Sequence, residues 1–200
     1  DSTSYSPLPR FNKEVIFHSS LFPVGLLLPE MYRVEPELYE LYGENDLRRP
    51  MFYKKGENVD DYFFYGSYDG SVIQFNGLAT DEMYLNKAEC FARQNRKEDA
   101  MAALNTLLET RWKTGTFTGL VAADAEAALR LVLQERRKEL AFRGLRWTDL
   151  RRLNRDGRFA VTMRRVLDGK EYVLGPGDKR YVFPIPLEVI EKTGMAQNER

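Results

Sequence analysis

The chain has 200 residues, with 30 basic and 30 acidic side chains and 43% apolar residues. This is enough chain for one sizeable core or two small ones, and its cancelled charge leaves no overall field to steer nucleic acid or an anionic membrane surface. One cysteine, Cys90, excludes an internal disulfide and a cysteine metal cluster, and no apolar run is long enough to span a bilayer.

Residues 1–13 are polar, carry Pro7 and Pro9, and read as extended. The segment 15–28 is broken by Pro23 and Gly25 into two short buried pieces. His18, the sole histidine, has no second histidine to make a site and reads as structural. Pro36 suits the first turn of a short helix ending near Gly43, with Leu38, Leu41 and Tyr42 on its apolar face. In the following turn, Asp46 is placed to pair with Arg48 or Arg49. Residues 56–79 concentrate Tyr62, Phe63, Phe64, Tyr65 and Tyr68 ahead of an Asp69-Gly70 turn, which fits either a β-hairpin or a long aromatic loop. Asp60, Asp61 and Asp69 do not have the spacing of a calcium loop.

From Thr80 the periodicity is helical. Thr80 or Asp81 can cap a helix with Met83, Tyr84, Leu85, Ala88, Phe91 and Ala92 on its apolar side, and Cys90 is expected to be buried there. Gln94-Asn95 makes a turn. A second helix carries Ala100, Ala103, Leu104, Leu107 and Leu108. Together, residues 80–112 form about one tetratricopeptide-like helical pair, which needs neighbours to bury its face. Residues 111–119 read as a flexible connection. Trp112 and Phe117 there, like Tyr65 and Tyr68 before them, are aromatic residues among turn formers. Each could stack on a sugar or anchor the core.

Residues 126–154, EAALRLVLQERRKELAFRGLRWTDLRRLN, organise the rest. Leu129, Val132, Leu133, Arg136 and Leu140 share one helix face, so an arginine joins an aliphatic stripe. Gly144 stops the helix, and Asp149 can open or cap a second one. The charge run is either a solvated face or an ion-paired hinge built from Glu135, Arg136, Glu139, Trp147 and Asp149. The hinge is the preferred reading because the charges are packed among leucine and tryptophan positions. Arg136, on the stripe, is the expected buried fork, with Asp149 or Glu139 as its partner. Arg137 belongs to the surface. Asp168-Gly169 marks a small hairpin. The arginines of 151–165 are interleaved with acids and match no nucleic-acid module. No glycine-rich phosphate loop or other cofactor motif occurs.

The runs ERRKELAFRG and RWTDLRRLN resemble the carboxy-terminal region of the SusD/RagB family. The tail is similar to that family's closing pattern at Phe183-Pro184-Ile185-Pro186 and at Gln197-Asn198, although Lys192-Thr193-Gly194 and Glu199-Arg200 depart from it. Asp46-Leu47-Arg48 matches in kind. The resemblance implies a mainly α fold of helical hairpins with a tetratricopeptide-like unit, long loops and small β-hairpins. Residues 1–200 would form one carboxy-terminal domain of that fold. It also implies a non-enzymatic, surface-exposed outer-membrane lipoprotein that captures oligosaccharide or polysaccharide beside a SusC-like TonB-dependent transporter. The membrane attachment would run through a lipidated amino terminus absent from DSTSYSPLPR. The matched residues are scaffold, so Trp112, Phe117, Tyr65 and Tyr68 are ligand candidates on their own chemistry. The alternative is a helical-repeat scaffold that binds protein and no sugar.

Overall fold

The computed structural model describes residues 8–21, 33–58, 61–66, 68–69 and 73–200. The amino-terminal stretch before Leu8 that the sequence reads as extended, the expected break at Pro23 and Gly25, Asp60 and Gly70 lie outside the described residues. The chain falls into two compact units, residues 1–144 and 145–200.

The first unit is built on three helices, α3 (Thr80–Arg93), α4 (Lys97–Glu109) and α5 (Ala125–Glu139), which pack against one another. Leu85, Ala88 and Ala92 face Ala100, Ala103, Leu104 and Leu107, and α5 adds Ala128, Leu129 and Val132, all buried. The small alanines allow close backbone approach, so the predicted helical pair exists and α5 is the neighbour that covers it. Asn95 turns the chain at φ 61°, a conformation asparagine tolerates. Asp124 caps α5 by accepting from the Ala127 amide at 2.8 Å.

Three expectations for α3 are corrected. Ala79, not Thr80 or Asp81, is the N-cap residue, and it makes no side-chain cap. Met83 and Tyr84 are exposed, because the buried stripe runs through Asp81, Leu85, Ala88 and Ala92. Cys90 is exposed as well. It stands two residues from both Ala88 and Ala92, about 200° around the axis from either, and so faces away from the core.

Two short helices, α1 (Pro36–Glu40) and α2 (Arg48–Phe52), and three two-stranded antiparallel ribbons complete this unit. β1 (Val15–Phe17) pairs with β6 (Leu78–Ala79), and β2 (Ser20–Leu21) with β5 (Gln74–Phe75). β3 (Tyr53–Lys55) pairs with β4 (Tyr62–Phe64). The aromatic run is thus half of a hairpin whose other strand starts at Tyr53. The strand after Asp69 pairs with residues 20–21, far back in the chain. Val34, Tyr42, Phe52, Tyr53 and Phe64 form one aromatic core cluster, and Tyr68, Phe75 and Ala79 form a second.

The second unit contains α6 (Arg146–Leu153), the hairpin β7 (Met163–Leu167) and β8 (Lys170–Leu174), a 3-10 turn at Lys179–Tyr181, and α7 (Leu187–Thr193). Asp168 and Gly169 both have positive φ, 50° and 75°, as the tight hairpin turn demands. Asp149 neither opens nor caps α6. The N-cap is Leu145, and Asp149 lies inside the first turn, where it accepts from Arg152 Nε at 2.8 Å. The tail is clamped by amides. Gln197 Oε1 accepts from the Ile185 amide at 2.8 Å and its Nε2 donates to the Ile185 carbonyl at 2.9 Å. Asn198 Nδ2 donates to the Phe183 carbonyl at 2.8 Å. Gln197-Asn198 therefore satisfies an extended Phe-Pro-Ile-Pro backbone whose prolines have no amide hydrogen to pair with a strand.

Candidate functional site

The charge run of α5 is mostly buried. Glu135, Arg136, Lys138 and Glu139 are all buried, so the buried face of α5 broadens at its C-terminal end and fills with charge. The structure accommodates them by surrounding the end of α5. Glu139, 0% exposed at its side chain, accepts from Arg48 Nη1 at 2.8 Å and from Arg111 Nε at 2.7 Å. Arg48 also holds Asp46 (2.6 Å) and Glu135 (2.7 Å), and Lys138 bridges Glu135 (2.8 Å) and Asp46 (3.1 Å). Three carboxylates thus meet three cations, with Glu14 at the rim accepting from Arg111 at 2.6 Å. Burial pushes the Glu139 carboxyl up, but Arg111 and Arg48 outweigh it and hold the group down at about 2.

Tyrosines close the network. Tyr68 donates to Glu14 Oε2 at 2.7 Å and accepts from Arg111 Nη2 at 2.8 Å. Tyr42 donates to the Lys138 carbonyl at 2.7 Å, which leaves Tyr53 as the donor in the 2.8 Å contact between their hydroxyls. Burial raises the phenol pKa of Tyr42 and Tyr68 well above the ordinary value. The two guanidiniums keep the Glu139 carboxylate ionised near neutrality, paired within the joint between α5, α2 and the end of α4.

Arg136 is buried as expected, but with other partners. It donates to Asn86 Oδ1 at 2.9 Å and to Glu82 at 3.3 Å on α3, while Glu139 takes its guanidiniums from Arg48 and Arg111. Arg137 is partly exposed and reaches Glu35 at 3.1 Å. Arg143 spans Asp81 (2.5 Å) and the Gly77 carbonyl (3.1 Å). Burial drives Asp81 up to about 6 against the pull of Arg143. Trp147 lies in the second unit, stacked on Phe183 at 5.4 Å, with its indole nitrogen donating to the Tyr181 carbonyl at 3.2 Å. His18 stands 3.0 Å from Asp69, which also accepts from Ser20.

The four aromatic candidates are placed differently. Tyr68 is 5% exposed, packs against Phe75 and Ala79, and lines a groove of about 320 Å³ with Arg111, Arg48 and Met51. Trp112 is half-buried over Gly43, where an added Cβ would come within 3.0 Å of Cη2. Its backbone is pinned: the Leu47 amide donates to the Arg111 carbonyl (2.8 Å) and the Lys113 amide to the Asn45 carbonyl (3.0 Å). The start of the expected flexible connection is therefore tied down, because its backbone groups find partners in residues 45–47. Phe117 is half-buried, with its ring 5.8 Å from that of Trp112. Tyr65 is half-buried beside β3, with Lys54 Nζ 3.4 Å above its ring centre.

Tyr65 lines a groove of about 450 Å³ together with Phe63, Arg33, Lys54, Lys55 and Asn58. Asp61 at its edge is held by Asn58 (2.7 Å) and Arg33 (3.3 Å). The groove presents an aromatic wall among cationic and amide donors. The sequence singles out Tyr65 as a candidate but not Phe63, Arg33 and Lys54 as its neighbours, because the β3–β4 register and the Arg33–Phe63 bridge assemble them. Arg111 was missed too, and its place beside a tryptophan in a glycine- and threonine-rich run carried no signal. Among the described residues no group of three or more His, Cys, Asp or Glu side chains could hold a metal, and no helix is long and apolar enough to cross a membrane.

Comparison with known proteins gives the frame for this geometry. No curated protein matches the chain. Among solved structures, a surface glycan-binding protein A from Bacteroides uniformis matches with a TM-score of 0.63 at 20% identity, over 94% of this chain and 49% of that one. A SusD-like carbohydrate binding protein from Bacteroides vulgatus matches at 0.58 and 18% identity, over 90% of this chain and 47% of that one. A SusD-like protein from Bacteroides fragilis matches at 0.48 and 23%, over 70% and 30%. The chain thus spans about half the length of these structures or less. The SusD family model matches residues 80–199, from the helical pair through the amide-clamped tail. With more than half its length matched, including ERRKELAFRG, RWTDLRRLN and the Phe-Pro-Ile-Pro closure, the chain belongs to the SusD family.

Proposed function

We propose that this chain is part of a surface glycan-binding protein that captures oligosaccharide for a SusC-like TonB-dependent transporter, and that it binds without cleaving. Membership of the SusD family carries this reading, and the two fuller structural matches are named for carbohydrate or glycan binding. In such a role the protein sits on the outer membrane through a lipid anchor, and the buried ion network serves as scaffold. The groove beside Tyr65 sets the rings of Phe63 and Tyr65, the latter with Lys54 over one face, toward a sugar's C–H surface, beside Arg33 and Asn58, which share Asp61, as polar partners for its hydroxyls. Trp112 is the second candidate face. Its half-buried indole supplies both a ring face and an N–H donor for a sugar oxygen.

Calorimetric titration with plant and host oligosaccharides tests the reading. Binding should weaken about tenfold in Tyr65→Ala, with circular dichroism unchanged. A loss confined to Trp112→Ala would move the site to the Trp112–Phe117 pair. Silence across the panel, including the glycan served by the neighbouring gene cluster, from both this chain and the longer protein would defeat the glycan reading. Release of shortened sugars would defeat the non-enzymatic one.

A further inference from the structure

The second unit holds a separate groove of about 340 Å³ between α6 and the loop that leads into the Lys179–Tyr181 turn. Thr148, Arg151, Arg152 and Arg155 fall three and four positions apart and line one side, while Gly177, Asp178 and Tyr181 line the other. Arg152 is engaged by Asp149 at 2.8 Å, and Asp178 by Arg180 at 2.7 Å. Among the described residues, the guanidiniums of Arg151 and Arg155 have no acidic partner, so two positive charges are left over.

Two further donors in the wall are also unmatched. Tyr181 is 5% exposed, and its buried hydroxyl has no hydrogen-bond partner among the described residues. The same holds for Asn154 Nδ2, although Asn154 Oδ1 accepts from the Val161 amide at 2.9 Å. The negative end of the α6 dipole accounts for arginines at this end of the helix. It does not account for an amide and a phenol left unsatisfied beside them, since buried polar groups are normally paired.

We infer that this groove binds an oxyanion, a carboxylate, sulfate or phosphate group, seated between Arg151 and Arg155 with Asn154 Nδ2 and the Tyr181 hydroxyl as neutral donors. The set is rich in donors, and its one lining carboxylate, Asp178, is already neutralised by Arg180. This matches an acceptor-only group. The inference does not depend on the glycan reading, because inorganic anions test it directly.

Trp147 reports on the groove, since its ring lies 4.9 Å from that of Tyr181. In a Trp112→Phe background, the protein is titrated with sodium sulfate, sodium phosphate, glucuronate and glucose 6-sulfate, with chloride holding ionic strength constant. A saturable change in Trp147 emission is expected. Tighter binding of glucuronate or the sulfated sugar than of inorganic sulfate identifies a saccharide-borne anion, and the reverse order identifies a free one. Arg151→Ala with Arg155→Ala should weaken binding by about tenfold or more, while Arg164→Ala, on the exposed hairpin, leaves it unchanged. Tyr181→Phe should weaken binding several-fold without lowering Tm, because it removes a hydroxyl that has no partner among the described residues. A response that chloride reproduces, or one that survives the double arginine substitution, overturns the proposal. So does the absence of any saturable response.

Discussion

Glu139 gives the sharpest test of the buried ion network. Replacing it with glutamine preserves its shape but removes the charge that neutralises Arg48 and Arg111. Two routes give the size of the effect. Removing one partner of a buried ion pair typically costs about 3–5 kcal/mol. Independently, the Glu139 carboxyl is held at about 2 against an ordinary 4.5, which corresponds to roughly 3 kcal/mol at about 1.4 kcal/mol per pKa unit. The folded value lies below the unfolded one, so this stabilisation is fully present above about 4.5 and is lost as pH falls toward 2. Urea melts at a series of pH values, followed by Trp112 emission in a Trp147→Phe background, report on the first unit alone. At pH 7 Glu139→Gln should be less stable than its parent by about 3 kcal/mol. The gap should narrow as pH falls below about 4.5, because the parent carboxyl then takes up a proton and resembles the amide. A difference under about 1 kcal/mol at pH 7 would put the network in the range of a solvated surface. A difference that stays the same as pH falls to about 2 would refute the assignment of the loss to the ionised carboxylate.

Three further substitutions probe the same frame. Arg136→Ala, which strands Glu82 and Asn86 on α3, should cost about 3 kcal/mol in denaturant melts, and Arg137→Ala under about 1 kcal/mol because it reaches only the exposed Glu35. Equal losses would contradict their opposite placements. A Cβ at Gly77 would lie 2.0 Å from the Phe17 carbonyl oxygen, which is backbone and cannot swing aside. Gly77→Ala should therefore lower stability by about 3 kcal/mol, read as a fall in Tm, and also loosen the Arg143 contact made to its carbonyl. Exposed Cys90 should react with a maleimide in the folded protein at the rate of a free thiol and leave the helical circular dichroism intact. A thiol that reacts only after urea is added would return it to the core.

The helical pair, its partner helix, the hairpin at Asp168-Gly169 and the short helix at Pro36 were legible in the chain because each follows local rules: apolar spacing, turn residues and proline at a first turn. ERRKELAFRG and the Phe-Pro-Ile-Pro tail were legible as resemblance, although their physical roles were not. Periodicity placed Arg136 on the buried stripe but could not name Glu82 and Asn86, which arrive from a helix some fifty residues earlier. Glu135 and Glu139 fall three and seven positions from Val132, on the same stripe, and Lys138 sits one turn from Glu135, but periodicity could not supply the opposite charges that let such groups be buried there. They are buried because α2, through Arg48, and the end of α4, through Arg111, close around the helix end. Cys90 followed the same limit in reverse: apolar neighbours in sequence suggested burial, and the 100° step of the helix turned it to the surface. The aromatic residues divide for a similar reason. Tyr68 and Tyr65 look alike as sequence, three positions apart in one run, but strand pairing over long separations sends Tyr68 into the ion network and leaves Tyr65 on a groove. Helical structure is determined within a few residues, so the sequence alone carries it. Charge pairing and aromatic exposure depend on which distant segments meet, and only the tertiary structure decides that.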